Sequence, residues 1–170
     1  TRTDLTIVQK SAEHLLALVN DTLDFSKIES QKMKLDQVDF RLRDLVREIE
    51  VMVSEQAKKK NIELQLTNNT EPDLTLNGDP IRLKQIIINL ATNAIKFTAQ
   101  GKVEVSFVDE YTPDGHIMLK IKVTDTGVGI PADKLPYIFD EFVQVGTDLT
   151  QKQRGAGLGL AIVKKLVSLH

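Results

Sequence analysis

The sequence predicts a two-layer α/β sandwich of the α+β kind, a mixed β-sheet covered on one face by helices and preceded by one long N-terminal α-helix. Three observations carry that expectation. The front of the chain holds an apolar stripe with coiled-coil spacing. Apolar positions then switch between period 3.6 and period 2, in the order helix, two strands, helix, two strands, helix. An Asp-Pro pair and several glycine clusters mark the switches.

In the first element Leu5, Val8, Ala12, Leu15 and Val19 step by three and four, with Leu16 and Leu23 widening the stripe. Such a stripe needs a partner helix, and none precedes it here. The expectation is a chain that begins midway through a helical hairpin of a bundle. Residues 30–39 are polar and carry no clear period, so the domain boundary falls there, dividing the chain into 1–36 and 37–170. From Leu42 an amphipathic helix presents Leu45, Val46, Ile49, Met52 and Val53 on one face and runs to residues 58–61.

Ile62, Leu64 and Leu66, then Leu74 and Leu76, read as two strands joined by turn residues 68–73. Asp79 and Pro80 supply an N-cap and a first-turn proline for a helix that runs to about Phe97. Past Gly101, Val103, Val105 and Phe107 alternate with polar residues. Beyond the Pro113-Asp114-Gly115 turn, Leu119, Ile121 and Val123 do the same, which makes a hairpin with one wet face. A short helix over 132–139, a polar stretch over 143–154 and a final helix from about Leu158 complete the chain, and the helices are expected on one mixed sheet.

Composition narrows the function classes. Twenty-two basic against twenty-four acidic residues leave a formal charge of −2, so no global field draws nucleic acid and a polyanion must be held by local donors. The absence of cysteine removes disulfides, thiolate metal sites and cysteine nucleophiles, and suits a reducing compartment. His14, His116 and His170 lie far apart, with no short metal-ligand spacing. The apolar runs are far shorter than the roughly 20 residues that cross a bilayer, so any membrane anchor is expected outside this segment.

The helix ending at Phe97 carries the most chemistry. Arg82, Gln85, Asn89, Asn93 and Lys96 fall within an arc of roughly 80°, and Leu83, Ile87, Leu90, Ala91, Ala94 and Ile95 lie on the other side. Asparagine oxygens are neutral hard ligands suited to magnesium, and a lysine one turn on can neutralise a phosphate. A solvated polar face is the plainer reading of that row. Asp125 stands at a strand end before Gly127 and Gly129, where two glycines let backbone approach a flat ligand and the carboxylate can accept from the exocyclic amine of adenine. A capped glycine turn is again the plainer alternative. Gly127, Gly129 and Ala132 loosely fit a dinucleotide fingerprint, but Pro131 intervenes and no strand completes the unit. Residues 155–160 are Gly-Ala-Gly-Leu-Gly-Leu and open the last helix, whose amides and positive end can meet phosphate. Residues 144–154 are almost devoid of apolar side chains and are expected to form a mobile lid over nucleotide. No GxxxxGK[ST] occurs, which excludes a P-loop.

These motifs resemble a family. Residues 89–98 (Asn-Leu-Ala-Thr-Asn-Ala-Ile-Lys-Phe-Thr) resemble the N box of sensor histidine kinases, and 125–130 resemble the first glycine box. Phe139-Asp140-Glu141-Phe142 resembles the F box, and 155–160 the second glycine box. Residues 20–29 resemble the end of the second helix of the dimerisation and phosphotransfer domain, especially in hybrid kinases. The resemblance implies a Bergerat fold that binds ATP and Mg²⁺ in the cytoplasm. By it, Asn93 ligates magnesium with support from Asn89, Lys96 reaches phosphate, Phe97 lines the adenine pocket and Asp125 reads the adenine amine. Gly127, Gly129, Ile130, Gly155, Gly157, Leu158 and Gly159 shape the pocket, and Phe139 and Phe142 anchor the base of the lid. Implied partners are a second copy, through the helical hairpin, and a response-regulator receiver domain. Two departures stand out. Ala156 occupies a position where many relatives carry threonine, and relatives continue past residue 170 with a glycine-rich turn and two more strands.

The wider superfamily of gyrase, chaperone and mismatch-repair ATPases places a glutamate four residues before the magnesium asparagine to activate water. Asn89 stands there instead, and an amide is no general base. A kinase whose histidine lies outside this segment is the expectation, and an ATP-hydrolysing enzyme of the gyrase type is the alternative. A binding module with an inert pocket is a third. The acceptor pattern of a histidine followed by an acidic residue and then a proline is missing at His14, which Leu15, Leu16 and Ala17 follow. No acceptor is expected in this segment.

Overall fold

The computed structural model describes residues 2–30, 32–144 and 157–170. Among the described residues, four α-helices and five strands follow in the order α1 (Arg2–Glu29), β1 (Val38–Arg41), α2 (Leu42–Lys59), β2 (Glu63–Asn68), β3 (Thr75–Gly78), α3 (Pro80–Phe97), β4 (Lys102–Tyr111), β5 (Ile117–Asp125) and α4 (Gly159–Leu169). The strands form two sheets. β1 and β3 make an antiparallel ribbon, and β2-β4-β5 make a mixed sheet in which β2 runs parallel to β4 and β5 antiparallel to it. A parallel pair needs a long crossover, supplied here by β3 and α3.

The core lies between this mixed sheet and the helices. Val103, Val105 and Phe107 are fully buried on one face of β4, and Leu42, Leu45, Val46, Ile49, Val53 and Ala57 of α2 cover them together with Ile87, Ala91, Ala94 and Ile95 of α3. Leu119, Ile121 and Val123 of β5 extend the same surface as partly buried residues. A second cluster sits on the other flank of α3, where Ile86 and Leu90 meet Leu158, Ile162, Val163 and Leu166 around α4. Phe25 and Ile28, from the last turns of α1, and Met33 close it. The helix α3 is thus apolar on two flanks, which leaves one narrow polar strip.

Four expectations need correction. The one mixed sheet expected is two, and β2 and β3, read as two strands joined by a turn, belong to different ones. β1 was not expected: it is four residues long, largely exposed, and its partner lies 75–78 in the chain. Met52, placed on the core face of α2, is exposed because it falls at the edge of the apolar arc. The helix expected over 132–139 shrinks to one 3-10 turn, Leu135–Tyr137. Pro136, in the middle of that span, withholds a backbone donor that a longer helix needs. Among the described residues, no helix is long and apolar enough to cross a membrane.

Candidate nucleotide-binding site

The local chemistry of α3 begins at Asp79, whose side chain is 4% exposed. Its Oδ1 accepts from the N–H groups of Ile81 and Arg82 at 3.0 Å each, and its Oδ2 accepts from Asp36 N–H at 3.2 Å. Two orphan donors of the first turn are thereby satisfied, and Pro80 at the first position has none to satisfy. At the far end the Thr98 N–H and hydroxyl both donate to the Ala94 carbonyl, at 3.0 and 2.8 Å. The Lys60 ammonium donates to the carbonyls of Ile95, Lys96 and Thr98 at 2.7, 2.8 and 3.0 Å.

The polar strip between those caps divides in two. Arg82 Nη1 donates to Asp24 Oδ2 of α1 at 2.8 Å and to Gln85 Oε1 at 2.8 Å, and Gln85 Nε2 donates to the same Asp24 oxygen at 3.0 Å. This half of the strip holds α1. One turn on, the Asn89 Nδ2 is buried with no hydrogen-bond partner. A Cβ added to Gly159 would lie 3.9 Å from Asn89 Cγ, so this amide faces the start of α4. Asn93, Lys96 and Phe97 are half-buried. The Lys96 ammonium lies 5.0 Å from the centre of the Phe97 ring, and burial lowers its pKa from the ordinary 10.5.

The loop after β5 is tied to the end of α3. Asp125 Oδ1 accepts from Gly127 N–H at 2.8 Å, which leaves Oδ2 for another donor. A Cβ on Gly127 would come within 2.6 Å of the Phe97 carbonyl oxygen, so only glycine fits this approach. The same carbonyl accepts from Val128 N–H at 3.4 Å. On the strand side Thr126 Oγ1 accepts from Lys102 N–H at 3.0 Å. Gly129 adopts φ 70° and Ile130 is exposed beside it.

A second junction joins 139–142 to the start of α4. Phe142 N–H donates to the Gly157 carbonyl at 3.1 Å, and a Cβ on Gly157, at φ 73°, would meet Phe142 backbone carbon at 2.9 Å. Phe142 itself takes the left-handed φ of 59°, and its ring is 67% exposed. Backbone, rather than burial of the ring, fixes it. Phe139 is also exposed and lines an open cleft with Ile28, Glu141, Ala161 and Lys165. Of the residues expected at the nucleotide, only Phe139 borders this cleft. Leu158, 2% exposed, seats the N-terminus of α4 in the second core cluster. Gly155 and residues 145–154 of the expected lid lie outside the described residues.

Three contacts therefore link the expected motifs pairwise: Phe97 with Gly127 and Val128, Asn89 with Gly159, and Phe142 with Gly157. Sequence reasoning missed Asp24 and Lys60. Asp24 carried no signal, since its partners lie 58 and 61 residues on. Lys60 follows Lys58 and Lys59 at the end of α2, where a basic run reads as complementing that helix's own dipole rather than serving another helix.

Comparison with known proteins shows the family. Residues 78–170 match the family model for histidine kinase-, DNA gyrase B-, and HSP90-like ATPases. The autoinducer 2 sensor kinase/phosphatase LuxQ of Vibrio vulnificus strain YJ016 is 42% identical over 164 residues, 96% of this chain and 19% of the relative. The sensor protein GacS of Pseudomonas syringae pv. syringae is 40% identical over 160 residues, 94% of this chain and 18% of the relative. The chain thus spans about a fifth of the length of these curated relatives. Among solved structures, full-length ShkA in complex with AMPPNP superposes with a TM-score of 0.78 at 34% identity, covering 99% of this chain and 34% of that one. The histidine kinase ThkA in complex with the response regulator TrrA gives 0.60 at 27%, covering 86% and 41%. The family match takes in over half of the chain, with the N box, the glycine loop and the start of α4 inside it. The chain belongs to the histidine kinase-, DNA gyrase B-, and HSP90-like ATPase family, and within it carries a catalytic, ATP-binding domain of the sensor histidine kinase type.

Proposed function

We propose that this chain binds magnesium-ATP and serves as the catalytic part of a two-component kinase, which transfers the γ-phosphoryl group to a histidine outside the chain and onward to a receiver-domain aspartate. One observation carries the reading. The Asn89 amide is buried with a polar atom unmatched, on a helix whose last turn is tied to the glycine loop after Asp125. A buried, unpaired polar group costs about 1–3 kcal/mol, and a ligand that engages it removes that cost. Either amide orientation leaves one atom of Asn89 available, as an oxygen for a cation or an N–H for a phosphate.

Magnesium fits the residues present. Asparagine side-chain oxygens are neutral hard donors of the kind magnesium takes, and Asn89 and Asn93 lie one turn apart on α3. Asn93 is the proposed ligand and Asn89 its support. A bound magnesium ion would be held through Asn93 and would supply charge neutralisation for the phosphates. Lys96, whose ammonium is disfavoured by burial, gains from a nearby phosphate. The free Asp125 Oδ2 accepts the adenine amine, Phe97 lines the base, and Gly127, Gly129, Gly157 and Gly159 let backbone approach. The chain's own part in transfer is positioning and charge neutralisation.

Asn89 favours kinase over hydrolase, because an amide cannot activate water. The ShkA complex with AMPPNP and the ThkA complex with TrrA support nucleotide and receiver binding by analogy. Val8, Leu15, Leu16, Val19 and Leu23 are exposed along α1, which supports dimerisation through 1–36 as part of a helical hairpin in the cytoplasmic portion of the whole protein.

The test is calorimetry of magnesium-ATP binding, followed by radiolabelled ATP with a histidine-bearing hairpin supplied in trans. Expected are saturable binding, its loss by roughly 100-fold in Asn93→Ala, and acid-labile phosphate on the hairpin but not on this chain. Steady phosphate release into water would favour the hydrolase, and absence of binding would sink the nucleotide reading.

A further inference from the structure

The geometry points to Lys60 as a positioning residue for the adenine end of the nucleotide pocket, an inference that rests on the nucleotide reading above. Lys60 is the C-cap of α2 and lies 35 to 38 residues before the atoms it binds. Its ammonium has three N–H donors. All three are matched, by the carbonyls of Ile95, Lys96 and Thr98 at 2.7, 2.8 and 3.0 Å. No donor is left over, so Lys60 cannot itself grip a phosphate, and any effect on the nucleotide must pass through the backbone it holds.

That backbone is the last turn of α3, which presents Lys96 and Phe97. The carbonyls there divide between two partners. Lys60 takes those of residues 95, 96 and 98, and the carbonyl of Phe97 is left to the glycine loop, where it accepts from Val128 N–H at 3.4 Å and packs against Gly127. With its neighbours fixed, the Phe97 carbonyl has one direction in which to point. Gly127 meets it so closely that a Cβ would sit 2.6 Å away, and Gly127 N–H in turn orients the Asp125 carboxylate at 2.8 Å. A continuous chain of backbone contacts therefore runs from Lys60 through Phe97 and Gly127 to Asp125.

Charge acts in the same sense. The C-terminal end of a helix carries roughly half a negative charge, and α3 brings that end toward the strip that holds Asn93 and Lys96. The half-buried Lys60 ammonium, set on the last carbonyls of the helix, offsets a field that opposes a polyphosphate. A lysine on α2 thus tunes a site built by α3 and the loop after β5.

Variants K60M and K60R distinguish this from plain stabilisation. K60M keeps a long side chain without donors, and K60R keeps charge and donors. In K60M, magnesium-ATP affinity measured by calorimetry falls about tenfold, magnesium-GTP affinity falls less, and the preference for adenine narrows. The amide resonances of Gly127 and Val128 shift in nucleotide-free protein, and those of Val105 and Val123 in the β4–β5 ladder stay in place. K60R retains affinity to within about threefold. Unchanged ATP affinity in folded K60M overturns the proposal, as does an equal loss for ATP and GTP with ladder resonances moving alongside the loop. Should K60M fail to fold, K60Q, which keeps two donors, is measured against the same criteria. If the wild-type chain binds no ATP, the nucleotide reading fails, and the loop resonances still decide whether Lys60 controls the loop.

Discussion

Along the polar strip of α3, Arg82 and Gln85 in the N-terminal half repeat with the same helical spacing as Asn89, Asn93 and Lys96 in the C-terminal half, but the two halves meet different surroundings. Opposite the first half stands α1, whose Asp24 accepts from both side chains. Opposite the second stand the glycine loop and the start of α4, which approach by backbone and offer Asn89 no partner. Spacing alone placed all five residues on one face. What each does is set by whether the facing element carries a side chain able to answer it.

The sharpest way to break this comparison is Asn89→Ala. Removing the amide eliminates an unmatched buried group, so stability of the nucleotide-free protein in urea is expected to hold or rise. Affinity for magnesium-ATP is expected to fall about tenfold, since contacts with a charged partner contribute about 1.5–3 kcal/mol. A parallel loss of stability and affinity would place Asn89 with the structural half.

Arg82→Ala tests the other half and should separate in the opposite direction. Affinity for nucleotide stays level, and α1 loosens from the body by about 1 kcal/mol, the scale for a partly exposed ion pair. Amide exchange over residues 25–28 reads this, as those residues pack on the second cluster. A drop in ATP affinity as large as that of Asn89→Ala would erase the distinction between the halves.

The smallest effect is in pH. Burial lowers the Lys96 pKa below 10.5, so the folded state holds this proton less tightly than the unfolded chain. Below the lowered value both states are charged and the penalty is carried in full. As pH rises through it toward 10.5, the folded state loses its proton first and the stability contributed by this site increases. Nucleotide affinity moves the other way over the same window, falling roughly threefold as the cation is lost. Calorimetry across alkaline pH checks the slope, which Lys96→Met should flatten.

Much of the fold was legible because burial imposes a period: Val103, Val105 and Phe107 against Glu104 and Ser106 could only be a strand with one dry face, and Ile87, Ala91, Ala94 and Ile95 only a helix flank. The N-cap at Asp79 was legible because a cap is local. β1 was not, since a four-residue ribbon strand is set by its partner Thr75–Gly78 rather than by its own pattern. Of the site, the residue types and their order could be read from the motifs, which are contiguous. The division of the strip, the Lys60 cap and the backbone seating of Phe142 could not, because each depends on atoms brought together from distant segments.

The unbroken course of α1 has a mechanical consequence. Its exposed stripe ends at Leu23, and its docked residues Asp24, Phe25 and Ile28 follow at once on the same rod. One continuous helix carries both sets, so the angle between the exposed stripe and the docked residues is written in a residue count. One residue more or fewer between the two sets would turn the exposed stripe by about 100° relative to the docked residues and shift it about 1.5 Å along the helix axis.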